Sequence, residues 1–297
     1  MEKYNKQKLI EAQQASLDIL LEVDRICRAH NIVYMLDSGT LIGAVRHKGF
    51  IPWDDDIDIA MTRDNFEQFR AAAVRELKEG MELVMPDELG DGDSFYDFTP
   101  RIIFLNSRRH AGSEEMDYYG GKLNHLWVDI FILDNIPDNS LSDKLTRFKQ
   151  KMLYGFAMSK RYKLDLGKYK GLDRFKVAVL AAIGRTMDMK DIFRRQERLA
   201  VSCNSKETKR LYYSNYQPDY LYVTVKREWI SEVTELEFES HLMMVPKAYR
   251  EVLSEVYGDY MQLPPEESRV PSHSDEIEVF TEKKGIKGSD DNYQGHV

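Results

Sequence analysis

Two cysteines, Cys27 and Cys203, are all the thiol in the 297-residue chain. They are too few for a disulfide framework and stand in no metal-ligand spacing, which fits a reducing cytoplasm. Unbroken apolar sequence is equally scarce. The longest central run, Val177–Ile183, falls far short of the roughly 18 residues that a membrane span needs. The opening MEKYNKQKLIEAQ has no apolar leader region. The expectation is a soluble, cytoplasmic protein. Positive charge is not in surplus either. The formal net charge is −8, which argues against general nucleic-acid binding, since that wants a basic face. Basic residues gather only locally, at Arg46-His47-Lys48, Arg108-Arg109-His110 and Lys144–Lys151. Such clusters are open to phosphates or an anionic membrane surface, although Lys144–Lys151 reads as an ordinary solvated helix face.

Acid, by contrast, is concentrated in one place. The strand-like run Ile32–Leu36 leads into Ser38-Gly39-Thr40 and a short helical segment, and then Asp54, Asp55, Asp56 and Asp58 follow within five residues. Carboxylates that close repel one another unless cations neutralise them. Beside a Gly-Thr turn, the cluster suggests a divalent metal and a phosphorylated substrate. Oxygen ligation favours a hard ion, magnesium or alternatively manganese. If Asp56-Ile57-Asp58-Ile59-Ala60 is a strand, Asp56 and Asp58 point to one face and the isoleucines to the other. A third carboxylate, Asp129, interrupts the otherwise apolar run Leu126–Leu133, and a lone Asp in a buried strand needs a partner or a metal. Asp56, Asp58 and Asp129 are therefore the expected metal ligands, in the arrangement of metal-assisted phosphoryl-type transfer. Asp54 is the candidate for taking a proton or holding a second ion.

Other residues fill in the expected site. Ser38, Gly39 and Thr40 lie where strand meets helix, so amides and hydroxyl there can hold a phosphate at the positive helix end. Arg46 and Lys48 precede the cluster and either grip phosphates or salt-bridge the aspartates. Arg101 sits in a strand-like run where a charge needs a reason, and is a further phosphate candidate. His47, His125 and His273 are not spaced as a zinc set.

The helix and strand periodicities alternate up to about Pro137, giving an α/β core with a mixed sheet flanked by helices. Expected elements are a helix over Lys6–His30, a helix from Thr62 to Leu77, short strands at Glu82–Met85 and Arg101–Leu105, and the strand carrying Asp129. Helices follow at Leu141–Tyr162, Asp173–Gly184 and Asp188–Ser202. Tyr220–Val225 and Val233–Phe238 read as strands, and Pro246–Tyr257 as a helix with proline at its start. The expected organisation is a catalytic core over 1–137, a helical insertion or subdomain over 138–210, a part completing the core over 211–274, and a loose tail over 275–297. With 42% hydrophobic residues the chain can form a sizeable core.

The segment Asp37–Asp58, DSGTLIGAVRHKGFIPWDDDID, resembles the signature of the LicD family, bacterial phosphotransferases of cell-surface glycans related to the fukutin-type proteins. The resemblance continues at Trp127–Asp134 and returns at Tyr257-Gly258-Asp259-Tyr260-Met261 and Leu263-Pro264-Pro265-Glu266-Glu267. It implies a nucleotidyltransferase-like fold with Gly39-Thr40, Asp56/Asp58 and Asp129 in the superfamily's turn, acid pair and third acid. It further implies magnesium-dependent transfer of phosphocholine from CDP-choline to a hydroxyl of a glycan or lipid-linked glycan precursor of teichoic acid, lipopolysaccharide or capsule, in contact with the inner membrane face. The rival readings are transfer of ribitol or glycerol phosphate from its CDP donor, nucleotidyl transfer, or a catalytically inactive binding protein on this fold. Choline would be recognised by cation–π attraction, and Trp53, Tyr118, Tyr119, Trp127, Tyr212, Tyr213 and Tyr216 are possible walls, against a prevailing role in core packing.

Overall fold

The computed structural model describes residues 5–109, 113–271 and 277–280. His110, His273 and the tail from 281 onward lie outside the described residues. The strands are β1 (Met35–Leu36), β2 (Asp58–Thr62), β3 (Met81–Val84), β4 (Arg101–Phe104), β5 (Ser107–Arg109), β6 (Leu126–Asn135), β7 (Arg210–Tyr213), β8 (Thr224–Lys226), β9 (Val233–Phe238), β10 (His241–Pro246) and β11 (Ile277–Val279). The helices are α1 (Lys6–Ala29), α2 (Ser38–His47), α3 (Arg63–Glu76), α4 (Ser113–Tyr118), α5 (Ser140–Ala157), α6 (Gly171–Gly184), α7 (Met189–Ala200), α8 (Arg227–Ile230) and α9 (Tyr249–Tyr257).

A mixed sheet in the order β1-β2-β6-β4-β3 forms the centre, and β7 joins the far half of β6 and carries β8. The pair β2 and β6 is parallel, whereas β6 runs antiparallel to β4 and β7. Alternation along the strands sorts their side chains. Ile57, Ile59, Val128, Ile130 and Ile102 are fully buried on one face and share a core with α1 residues such as Ile19, Val23 and Ile26. The other face receives Asp58 and Asp129. Helices α5 to α7 come between β6 and β7 in the chain, so the sheet is completed by residues on both sides of them.

Several elements differ from the sequence expectation at their ends. Ile32–Leu36 contributes only Met35–Leu36 as strand, and Tyr220–Val225 becomes strand only from Thr224, its alternating tyrosines Tyr220 and Tyr222 being exposed instead. Pro246 closes β10 rather than opening a helix, which starts at Tyr249. Proline is tolerated at both kinds of position. Within the expected loose tail, Ile277–Val279 pairs antiparallel with β5.

Candidate active site

The loop from α2 to β2 returns over the helix it has just left. Gly43 permits this, because a Cβ there would collide with the carbonyl of Gly49. The ends of the segment are tied together: the Asp37 amide donates to the Asp58 carbonyl at 3.0 Å, and the Asp58 amide donates to the Thr40 hydroxyl at 2.9 Å. A Cβ on Gly39 would sit 2.7 Å from a carboxylate oxygen of Asp54, so only glycine leaves Asp54 its place.

Strand pairing then assembles the charges. Asp58 lies opposite Asp129 across the parallel pair, and Asp129 lies opposite Arg101 across the antiparallel one. The three form one row on one face of the sheet. Asp56 precedes β2 in irregular chain, so the expected strand begins two residues late, yet burial still alternates through Asp56, Ile57, Asp58 and Ile59. Crowding in a partly dry cleft disfavours charge. Burial, with Asp56 and Asp129 next to it, holds the Asp58 carboxyl well above the usual carboxylate range. Burial and Asp56 push Asp54 up to about 8. Burial pushes Asp129 to about 6, against the opposing pull of Arg101.

In this structure Arg101, expected as a phosphate contact, is engaged by protein groups. It is 5% exposed. Its guanidinium donates to both oxygens of Asp97 at 2.9 and 2.6 Å and to the Thr99 carbonyl at 3.1 Å, and its Nε is 2.8 Å from Asp129 Oδ1. Tyr96 and Trp127 each lie 5.2 Å from it. It is the counter-charge of the cleft. Thr40 and Lys48 likewise have protein partners here. The Thr40 oxygen is buried and accepts from Asp58, so it positions that carboxylate. Lys48 ends α2 in the left-handed conformation, φ 58°, and its ammonium pairs with Glu237 at 3.2 Å, at the end of the helix opposite the acids. Ser38 sits at φ 49°, a costly conformation for a non-glycine residue, at the head of α2.

Sequence reasoning missed the layer behind the acids. Asp37 is buried and accepts from the Tyr213 hydroxyl at 2.8 Å and the Tyr216 hydroxyl at 3.4 Å, and these two rings stack at 4.4 Å. They support the head of α2 through Asp37. Tyr119 and Tyr212 are core residues, 2% and 0% exposed. Tyr118 packs on Tyr119 and bonds the Lys160 carbonyl. Asp97 was invisible as well. Its one signal is its place four residues before a strand arginine.

One cavity is lined by the carboxylates and another by neighbouring residues of the same motif. A cleft of about 190 Å³ holds Asp55, Asp56, Asp129 and Arg101 under Tyr96 and Trp127, with Arg109 4.7 Å from the Trp127 ring. A second cavity of about 450 Å³ is lined by Arg46, Trp53, Tyr257, Asp259 and Tyr260. It joins the first motif to the last one. Arg46 donates to the Tyr260 carbonyl at 3.0 Å and feels Asp54, while Arg269 lies 5.5 Å from the Trp53 ring. A further cavity of about 600 Å³ between α3 and α7 is lined by Ile132 and so opens on the opposite face of the sheet.

The donor set Asp56, Asp58 and Asp129 is carboxylate oxygen throughout, and their crowded charge is of the kind a hard cation relieves. The residue types fit such an ion. Among the described residues no three His, Cys, Asp or Glu side chains yet converge as a ligand group.

A mixed sheet thus presents the Gly-Thr head of α2 beside the acids Asp58 and Asp129, with Asp56 just before β2. Residues 31–171 match the family model described as "LicD/FKTN/FKRP, nucleotidyltransferase domain", and this part of the chain is a LicD-family domain. The chain is 29% identical over 282 residues to the lipopolysaccharide cholinephosphotransferase LicD of Haemophilus influenzae, covering 93% of this chain and 99% of that protein. Shorter stretches match uncharacterized proteins of Rickettsia typhi, 38% identical over 64 residues and 21% of each chain, and of Rickettsia prowazekii, 43% identical over 47 residues, 16% of this chain and 18% of that one.

Proposed function

We propose that the protein transfers phosphocholine from CDP-choline to a hydroxyl of a cell-surface glycan precursor, releasing CMP. The observation that carries this is the row of Asp58, Asp129 and Arg101, with Asp54 beside it, inside a LicD-family domain. The near full-length similarity to a cholinephosphotransferase supports the choice of group transferred.

In this reading the acceptor oxygen attacks the phosphorus of phosphocholine, the new O–P bond forms, and the bond to the CMP oxygen breaks. Asp54, held against Gly39 at the head of α2 and next to the acid row, takes the hydroxyl proton as general base. Asp56, Asp58 and Asp129 would hold magnesium, which when bound supplies charge neutralisation at the phosphate oxygens. Thr40 fixes the strand start that carries Asp58. Arg101 keeps Asp129 and Asp97 compatible with burial. The 450 Å³ cavity suits an alcohol phosphate: Arg46 offers a guanidinium to phosphate oxygens, and Trp53, Tyr257 and Tyr260 with Asp259 offer aromatic faces and an anion to a quaternary ammonium.

The test is CMP release by the full-length protein given CDP-choline, magnesium and a glycan acceptor free of phosphocholine. Release that EDTA stops, with choline appearing on the acceptor, is the expected result. Turnover of CDP-ribitol or CDP-glycerol without turnover of CDP-choline would overturn the choice of donor.

A further inference from the structure

Helix α6, sequence GLDRFKVAVLAAIG, is an apolar helix with an uncovered apolar side. It rests on α5 through Leu180, Ala181 and Gly184: Leu180 reaches Gly155, and a Cβ on Gly184 would strike the Phe156 carbonyl. The side turned away from that contact carries Leu172, Phe175, Val179 and Ile183, which are 75%, 67%, 40% and 46% exposed. Spacings of three and four make them one stripe. Isolated exposed apolar residues need no explanation, but a contiguous stripe does. α5 repeats the pattern with Leu141, Leu145 and Phe148, 77%, 49% and 60% exposed.

The charge around this stripe is the opposite of the chain's. From Ser140 to Arg185 there are twelve lysines and arginines against three aspartates, in a protein whose net charge is −8. Lys168, Lys170 and Arg174 are exposed just before and in the first turn of this helix. No described helix is long and apolar enough to cross a membrane.

We propose that the exposed face of α6, with its basic flanks, docks on an anionic lipid surface as an interfacial helix. An apolar stripe bordered by lysine and arginine is the pattern that enters the headgroup region, where burial and attraction to anionic lipid add. A second copy of the chain is a poorer occupant, because a twofold contact through this face would oppose two like-charged surfaces. The inference is independent of the transfer chemistry, since none of these residues adjoins the carboxylates.

Co-sedimentation of the full chain with phosphatidylcholine vesicles, with and without about one part in three of phosphatidylglycerol, tests it. The expected result is partition to the anionic vesicles only, weakened by high salt. The double variant Leu172→Ser/Phe175→Ser and the triple variant Lys168→Glu/Lys170→Glu/Arg174→Glu should each lower that partition about tenfold or more, since apolar burial and charge both contribute. Both should keep the melting temperature and the turnover of a water-soluble acceptor, because the side chains are exposed and remote from the site. Equal binding to neutral vesicles, no binding, or unchanged binding by the double variant would overturn the proposal. So would concentration-dependent self-association without lipid that the double variant abolishes, which would make the face a protein interface. Loss of transfer activity with intact vesicle binding would instead count against the proposed reaction.

Discussion

Replacing Arg101 by methionine tests the charge arrangement of the cleft directly. The side chain is nearly inaccessible and holds Asp97 through two hydrogen bonds and Asp129 through its Nε. Methionine fills much of the volume but leaves the buried Asp97 and the part-buried Asp129 without their cation. Breaking a buried ion pair on one side costs about 3–5 kcal/mol, because the remaining charge is uncompensated. For a chain of this size that is a fall in melting temperature on the order of 10 °C. The penalty should depend on pH. Asp129 already has its carboxyl raised to about 6 with Arg101 in place, and removing the cation raises it further. A raised carboxyl stabilises the fold when protonated, and that contribution is lost as pH rises through its folded value. The loss should therefore be largest near about pH 7.5 and smaller near about pH 5. Adding Asp97→Asn, which keeps an acceptor for the Thr99 amide, should recover a substantial part of it. Urea unfolding followed by circular dichroism at the two pH values measures all of this. A loss below about 1 kcal/mol at the higher pH, the size of an exposed pair, would refute the counter-charge role. Unchanged stability with lost CDP-choline affinity would return Arg101 to the phosphate.

The carboxylates make a further pH prediction: in EDTA the melting temperature should fall as pH rises from about 5 to about 8.5, because Asp54, Asp58 and Asp129 are all raised, and Asp58→Asn should flatten that fall while abolishing CMP release. Gly39→Ala should displace the Asp54 carboxylate and reduce turnover about a hundredfold with little change in melting temperature, since only a flexible side-chain end must move; normal turnover would count against Asp54 as the proton acceptor. Thr40→Val strands the Asp58 amide and should cost about 1–3 kcal/mol in urea unfolding. Arg46→Lys should weaken CDP-choline binding in calorimetry by about 1–3 kcal/mol with the ligand-free melting temperature unchanged, because a guanidinium fork serves phosphate better than an ammonium; stability lost with affinity intact would make Arg46 structural.

What the sequence made legible here was local. The period-two alternation of Ile57, Asp58 and Ile59 and the single acid in Leu126–Leu133 give the faces on which the carboxylates lie. That β2 and β6 are neighbours, and parallel, so that Asp58 meets Asp129, is a long-range pairing that no local period encodes. The same gap hid the support of Asp37 by Tyr213 and Tyr216 and the uncovered side of α6, whose apolar run fits a core helix as well as a surface one. Residue type also leaves unseen what a side chain does for its own loop. Thr40 and Gly39 have the chemistry of a phosphate turn, yet the hydroxyl receives the Asp58 amide and the missing Cβ makes room for Asp54. Together with the Asp37–Asp58 backbone bond, these contacts close the segment on itself. The residues between Asp37 and Asp58 are therefore constrained first by one another, in holding like charges close, and whatever they offer a phosphate comes from amides at the head of α2 that this closure leaves in position.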